Sequence, residues 1–372
     1  MINIREGDFE AFFEAPFAAY GSDSLYVSPM KSDLKRFLSK AENPLFQGQS
    51  DITYFTAHDE NRVLGRITAH FHAEGNEAHK INQGYFGYFD CVDDVEVAKR
   101  LLDRAEAWAK ARGFTSIAGN YNLTAMQQIG VMTSGFDRPA YTDLVYSPAH
   151  IAKLLEANGY TAEFPMTTFE TPFGPDYEAA PLGPKQQAIL DNPDFTWAPI
   201  SRKTIDQRME DARIILNESF AKNPQFKAVS QDEYHFQSKD MKWIMDPRIS
   251  AMLHYKGRPA ACIICIPDLN PLLQKTRSRM SLSFPWHFLK NRLNRKRAVL
   301  IYSGVIPELQ GQGVNPLVLN RVTTAMKEAG YEICGNTWIG STNHASLRQK
   351  EKMGARRLHE LAIFRKQLRN KE

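Results

Sequence analysis

The chain has 372 residues, 43% of them apolar, which is enough to fill two cores of ordinary size. Its 46 basic and 42 acidic residues leave a formal charge of +4, which argues against a dedicated nucleic-acid binder and makes any electrostatic argument a local one. Cys91, Cys262, Cys265 and Cys334 are spaced for neither a zinc cluster nor a disulfide framework, so core thiols in a reducing compartment are expected. Residues 1–20 carry scattered acidic side chains rather than a leader pattern. No later run approaches the roughly 18 apolar residues of a membrane span, and a cytoplasmic protein is predicted.

In chain order, residues 52–59 and 63–72 read as an antiparallel hairpin and 84–92 as a third strand. The next stretch, DDVEVAKRLLDRAEAWAKARG, spaces Val97, Leu101, Ala105 and Trp108 as a helix face and ends at Gly113. The strand TSIAGNY, a strand and helix within 143–159, and the strand EFPMTTFET complete a unit assigned to 1–170. The Pro/Gly-rich TPFGPDYEAAPLGP opens a linker region, 171–200. Residues 201–372 then repeat the order: helices at 206–222 and 230–244, a hairpin ISAMLHYKG/RPAACIICIP, a strand at 297–307, and alternating helices and strands to the end. The repeated order predicts tandem copies of one α/β (α+β) fold, each a mixed central sheet flanked by helices.

Between the strand at 297–307 and the following helix lies QGQGV, Gln310 to Val314. A glycine pair there lets backbone N–H groups converge on an anion, and the helix N-terminus adds about half a positive charge. The turn lacks both GxGxxG and the Lys-Ser/Thr of a P-loop, which disfavours nicotinamide cofactors and nucleotide hydrolysis. Its wider setting resembles the GNAT acyltransferase superfamily. Gln310, Gly311 and Gly313 match the family's Q/R-x-x-G-x-G/A, and Asn343, Ser346, Leu347, Glu351, Lys352 and Gly354 match its N-x-x-[AS]-[IL]-x-x-[YF]-E-K-x-G helix. The resemblance implies acetyl-CoA or a longer acyl-CoA as donor, lying between two splayed strands, with its pyrophosphate on the amides of residues 311–316. Val305, Gln310, Gly311, Gln312, Gly313, Val314, Asn315, Asn343 and Ser346 are the implied donor-binding residues, Val305 through a backbone amide that polarises the thioester. Two positions depart from the family pattern. Asn315 precedes Pro316, which removes an amide donor, and Lys350 stands where a tyrosine often protonates the leaving thiolate.

The corresponding turn in the first unit reads FDCVDDVEV, and its Asp90, Asp93, Asp94 and Glu96 would satisfy a helix N-terminus and repel a pyrophosphate. The first unit is therefore expected to be degenerate and to complete an acceptor cleft, with Tyr121 and Asn122 as substrate-binding candidates. Glu308, Asp268 and Asn270 are candidate catalytic groups beside Lys350, the latter two because they end an apolar strand at the expected cleft mouth. His70, His72 and His79 form no recognisable metal set, and the His70/His72 pair is expected on a surface-facing strand.

Nearly the whole chain resembles tandem bacterial members of the superfamily, and more loosely bacterial ceramide synthases. The segment 275–297 is dense in Lys and Arg, free of acidic residues and interleaved with aromatics, which suits peripheral membrane contact. The reading is an acyl-CoA-dependent N-acyltransferase acting on a small-molecule or lipid amine, with nucleic acid disfavoured. The alternatives are a non-catalytic acyl-CoA- or lipid-binding protein of the same fold and an aminoacyl-tRNA-dependent transferase.

Overall fold

The computed structural model describes residues 1–368 apart from Asn61 and Pro224. The first half comprises β1 (Ile2–Glu6), α1 (Phe9–Tyr20), α2 (Lys31–Leu38), β2 (Asp51–Asp59), β3 (Arg62–Phe71), α3 (Ala73–His79), β4 (Gln83–Cys91), α4 (Val95–Ala111), β5 (Ser116–Gly119), β6 (Tyr121–Asn122), β7 (Gln128–Ile129), β8 (Val131–Ser134), α5 (Ala149–Ala157) and β9 (Thr161–Pro172). The second comprises α6 (Pro184–Asp191), β10 (Phe195–Trp197), α7 (Ile205–Phe220), α8 (Gln231–Ser238), α9 (Met241–Ile244), β11 (Ala251–Tyr255), β12 (Arg258–Pro267), α10 (Asn270–Thr276), α11 (Phe284–Leu293), β13 (Arg297–Val305), α12 (Val314–Glu328), β14 (Ile333–Gly340), α13 (His344–Lys352) and β15 (Arg356–Gln367).

Both halves join one 13-stranded sheet of order β1-β2-β3-β4-β5-β15-β9-β14-β13-β12-β11-β10, with β8 also on β15. The last strand of each half has crossed over: β15 pairs with β5, and β9 pairs with β14. The halves therefore repeat the same element order, as the sequence predicts, yet neither completes its own sheet. A cut at residue 170 would leave each half holding the other's strand. The predicted linker is also structured. Its α6 and β10 lie on the second half, and Asn320 and Lys327 of α12 donate to the Ala180, Pro175 and Tyr177 carbonyls.

Helices cover both faces. On one face α4 buries Val97, Leu101 and Ala105 against β2 to β4, and α12 buries Leu317, Val318 and Val322 against β11 to β13. On the other face α1 and α2 pack on the first half and α7 and α8 on the second. All four cysteines are buried and unpaired, in keeping with core thiols.

Candidate acyl-donor site

Within each half two adjacent strands run parallel and then part. Strands β13 and β14 pair only from Arg297↔Ile333 to Leu300↔Asn336. The next residue, Ile301, is an extra residue in β13: Cys265 of β12 faces Leu300 while Ile264 faces Tyr302. A bulge of this kind bends its strand and ends local pairing. Beyond it Tyr302 to Val305 stay on β12 and diverge from β14, opening a V. At the end of β13 the Val305 carbonyl accepts from Ser219 Oγ and Gln310 Nε2, both at 2.9 Å, so Gln310 latches the glycine turn onto the strand.

That turn feeds α12 with an uncapped N-terminus. Gly311 and Gly313 have φ of 76° and 93°, values that favour glycine, and no side chain caps the helix. Among the described residues no protein acceptor meets the amides of Gly311, Gly313, Val314 or Asn315. Space above Gly311 is open, whereas a Cβ on Gly313 would lie 2.6 Å from Gln186 Nε2 and 3.3 Å from Lys185 Cβ. The first turn of α6 thus roofs one side of the anion turn with Lys185 and Gln186. No local motif signals this contact, which spans 127 positions.

Asn315, in the first turn of α12, links β13 to α13. Its Oδ1 accepts from Ser303 Oγ at 3.3 Å, and its Nδ2 donates to Gln349 Oε1 of α13 at 2.8 Å. Gln349 Nε2 is then a buried donor without an acceptor among the described residues. At the vertex, Lys350 donates to Asn336 Oδ1, and burial pushes its ammonium down to about 8 against the opposing pull of Cys334 and Cys265. Asn343 caps α13 through the Ser346 amide at 3.1 Å, Gln312 Nε2 donates to the Glu308 carbonyl, and Val314 is core. Glu308 lies exposed just past the end of β13.

Three expectations need correction. Asp268 and Asn270 do not reach the mouth of the V. Antiparallel pairing sets Ala261 opposite Val305 and Pro267 opposite Ala298, so the end of β12 lies at the start of β13, about 23 Å of strand from Val305 at roughly 3.3 Å per residue. There Asp268 pairs with Arg297 at 2.9 Å and accepts from Thr142, and Asn270 donates to the Ala140 carbonyl. Asn122 is tied up inside the first half. Strand β4 bulges at Tyr88, and the Tyr88 and Phe89 amides find acceptors in Asn122 Oδ1 at 2.7 Å and Asn120 Oδ1 at 3.2 Å. Finally, His70 and His72 are buried, each donating Nε2–H to the Leu123 carbonyl, because β3 turns that face toward α1, α2 and the 120–128 segment.

The first half therefore has the same V, from Tyr85↔Ala118 onward, but fills it with its own chain. The Tyr121 carbonyl comes so close to β4 that a Cβ on Gly87 would sit 1.7 Å from it. At the head of α4, Asp94 accepts from the Glu96 and Val97 amides, at 2.8 and 3.2 Å. The Asp94 carboxylate thus occupies amides whose counterparts at the head of α12 have no acceptor among the described residues.

A carboxylate that sequence reading passed over lies near Tyr88 of the first half and Tyr302 of the second. Asp143, at φ 69°, keeps exposed surface, yet desolvation pushes its carboxyl up to about 6. Burial raises the phenols of Tyr302 on β13 and Tyr88 on β4, and the Asp143 charge adds a smaller push to each. Only the long-range apposition of the halves makes it visible.

A tandem GNAT protein from the clavulanic acid biosynthesis pathway, solved without AcCoA, superposes over 100% of both chains with a TM-score of 0.61 at 10% identity. The chain has the tandem GNAT fold. A GCN5-related N-acetyltransferase from Sphaerobacter thermophilus matches 100% of this chain and 97% of its own at 11% identity, TM-score 0.55. Among curated proteins, Protein YghO of Escherichia coli (strain K12) is 23% identical, over 98% of this chain and 94% of its own. The bacterial ceramide synthase of Caulobacter vibrioides (strain NA1000 / CB15N) is 22% identical, over 97% of this chain and 95% of its own. No family profile matches the chain.

The two V-shaped openings respond differently to loss of their asparagines. Asn122→Ala strands the buried Tyr88 amide and is expected to cost about 1–3 kcal/mol in denaturant unfolding. Asn315→Ala removes a partly exposed bridge and is expected to cost less than about 1 kcal/mol. Equal losses would show that the asparagine of the second V serves structure no less than that of the first.

Proposed function

We propose that the chain is an acyl-CoA-dependent N-acyltransferase whose donor lies in the V between β13 and β14. The observation that carries this reading is the contrast between two equivalent helix N-termini: α4 is capped by Asp94, while the Gly311, Gly313, Val314 and Asn315 amides heading α12 have no protein acceptor among the described residues. A pyrophosphate is the kind of anion such a turn holds, and Lys185 stands beside it. The pantetheine arm would run down the V past Gln349 Nε2, a donor suited to an amide carbonyl.

In this reading an amine nitrogen attacks the thioester carbon, forming the N–C bond, and the C–S bond breaks. A backbone amide on the open edge of β13, just past the bulge at Ile301, would take the developing oxyanion. The departing sulfur would take a proton from Lys350, whose lowered pKa makes it a better acid than an exposed lysine. The proton lost by nitrogen would pass to Asp143, whose raised pKa brings it closer to working pH than an ordinary carboxylate.

A lipid amine is favoured by α11. None of its ten residues is buried, and Trp286 and Leu293 are 67% and 75% exposed on a segment rich in Lys and Arg. An exposed apolar row among cations matches an anionic membrane surface. The likeness to the Caulobacter ceramide synthase supports the same substrate class. No helix among the described residues is long and apolar enough to cross a membrane, so contact would be peripheral.

Thiol release from a panel of acyl-CoAs with amine acceptors tests the reaction. kcat/KM is expected to show an acid limb near pH 6 that Asp143→Asn abolishes, and an alkaline limb near pH 8 that Lys350→Tyr moves upward. Both follow from the signs of the shifts: Asp143 must be deprotonated to accept, and Lys350 protonated to donate. Unchanged limbs in both variants would remove these roles, and no thiol release with any acceptor would leave a binding protein. Sedimentation with phosphatidylglycerol vesicles is expected to capture the protein, weaken severalfold between 50 and 300 mM salt, and fail for Trp286→Ser. Equal capture by neutral phosphatidylcholine vesicles would contradict an electrostatic surface.

A further inference from the structure

We propose that the connection from β12 to β13 is a strap through which membrane contact controls access to a cavity between the two halves. Docking of α11 on an anionic lipid surface frees residues 277–279 from α1 and α2, and this loosens the rim that α2 and α8 form around the cavity. The proposal rests on the peripheral contact assigned to α11 above and adds what that contact does.

The strap starts where α10 ends, and although it belongs to the second half it lies on the first. Ser278 is buried, its Oγ donates to the Ser28 carbonyl at 2.6 Å, and its own carbonyl accepts from the Lys31 amide at 2.9 Å. That amide heads α2, whose N-terminus has no side-chain cap, so the strap supplies a partner the helix lacks. On either side Arg277 covers the Phe17 ring at 5.0 Å and Arg279 covers the Phe13 ring at 5.3 Å, and Arg279 also pairs with Glu14.

Two features make this hold reversible. Arg277 and Ser278 have φ of 47° and 55°, a left-handed conformation that is costly for residues with a Cβ and is kept only while the surrounding contacts persist. The Arg279–Glu14 pair is more than a third exposed on both sides, where an ion pair is weak and anionic headgroups compete for the same guanidinium. The chain then runs directly from Arg279 into Met280 and Leu282, which extend the exposed apolar row of α11 up to the strap. A lipid surface that takes up α11 therefore meets the strap as well.

Helix α2 carries the effect to the cavity. The cavity measures about 230 Å³ and takes His72, Gln83 and Tyr121 from the first half and Phe226 and Gln237 from the second. Along the α7–α8 connection its two sides are tied: Tyr121 Oη donates to Gln225 Oε1, His79 Nε2 donates to the Phe226 carbonyl at 2.9 Å, and Lys227 pairs with Glu74 at 3.1 Å. Elsewhere the last turn of α2 meets α8. Arg36 Nη1 donates to the Phe236 carbonyl at 2.6 Å, its guanidinium lies over the Phe236 ring at 4.5 Å, and Phe37 meets that ring at 5.8 Å. Gln237 follows Phe236 directly and Leu45 lies just past α2, and both line the cavity. Release of Ser278 at the head of α2 thus loosens the helix whose far end closes the rim.

Thiol labelling reads the rim, and amide exchange reads the strap. The four native cysteines are buried, so Gln237→Cys in the full chain puts one reactive thiol in the cavity wall. On phosphatidylglycerol vesicles its labelling is expected to rise about tenfold, and the Lys31 amide of the wild-type chain to exchange about tenfold faster, with neither change on phosphatidylcholine. Glu14→Ala, which frees Arg279, should raise both rates severalfold without lipid. The Lys31 exchange decides if Gln237→Cys fails to fold. Capture by phosphatidylglycerol with unchanged rates overturns the gate and leaves the membrane contact standing, as do wild-type rates in Glu14→Ala. No capture by either vesicle refutes the surface assigned to α11 and the release with it.

Discussion

Strands β13 and β14 share hydrogen bonds for four residue pairs and then separate, and the site follows from that separation. The extra residue at Ile301 is inserted against β12, so the strand turns away from β14 while remaining paired on its other edge. The gap exposes backbone that a continuous sheet would hide, and α12 begins where the diverging strand ends. Bulge, open strand edge and uncapped helix therefore come as one unit. The first half builds the same unit and then closes it, with Asn120 and Asn122 on the bulge and Asp94 on the helix. Two copies of one device, one filled and one open, are a sharper sign of specialisation than either alone.

Exchange of the last strands binds the copies into a single sheet, so the α7–α8 connection of the second half is set permanently against β3, β4 and β6 of the first. The first half in this setting is not spare. It supplies His72, Gln83 and Tyr121 to a cavity shared with the second half, and its 141–144 segment sets Asp143 near enough to Tyr302 for its charge to act on that phenol.

Local chemistry was readable from the chain. Gly311 and Gly313 require positive φ, Asp94 reads as a cap, and helical spacing locates α4 and α12, so fold class, repeat and the glycine turn between β13 and α12 could all be anticipated. Contacts set by pairing direction could not. Asp268 ends an apolar strand in the sequence, but only the antiparallel register shows that it ends beside Arg297 instead of Val305. Strand exchange, Lys185 over the glycine turn, the burial of His70 and His72, and Asp143 all depend on partners far along the chain, where periodicity carries no signal.

The central claim is that the amides heading α12, and not those heading α4, hold the donor's pyrophosphate. Backbone ¹⁵N chemical shifts recorded during titration with CoA test it directly. Saturable shifts are expected at Gly311, Gly313, Val314 and Asn315, with Glu96 and Val97 unmoved. CoA binding detected by calorimetry with those four amides unshifted, or with the shifts at α4, would contradict it.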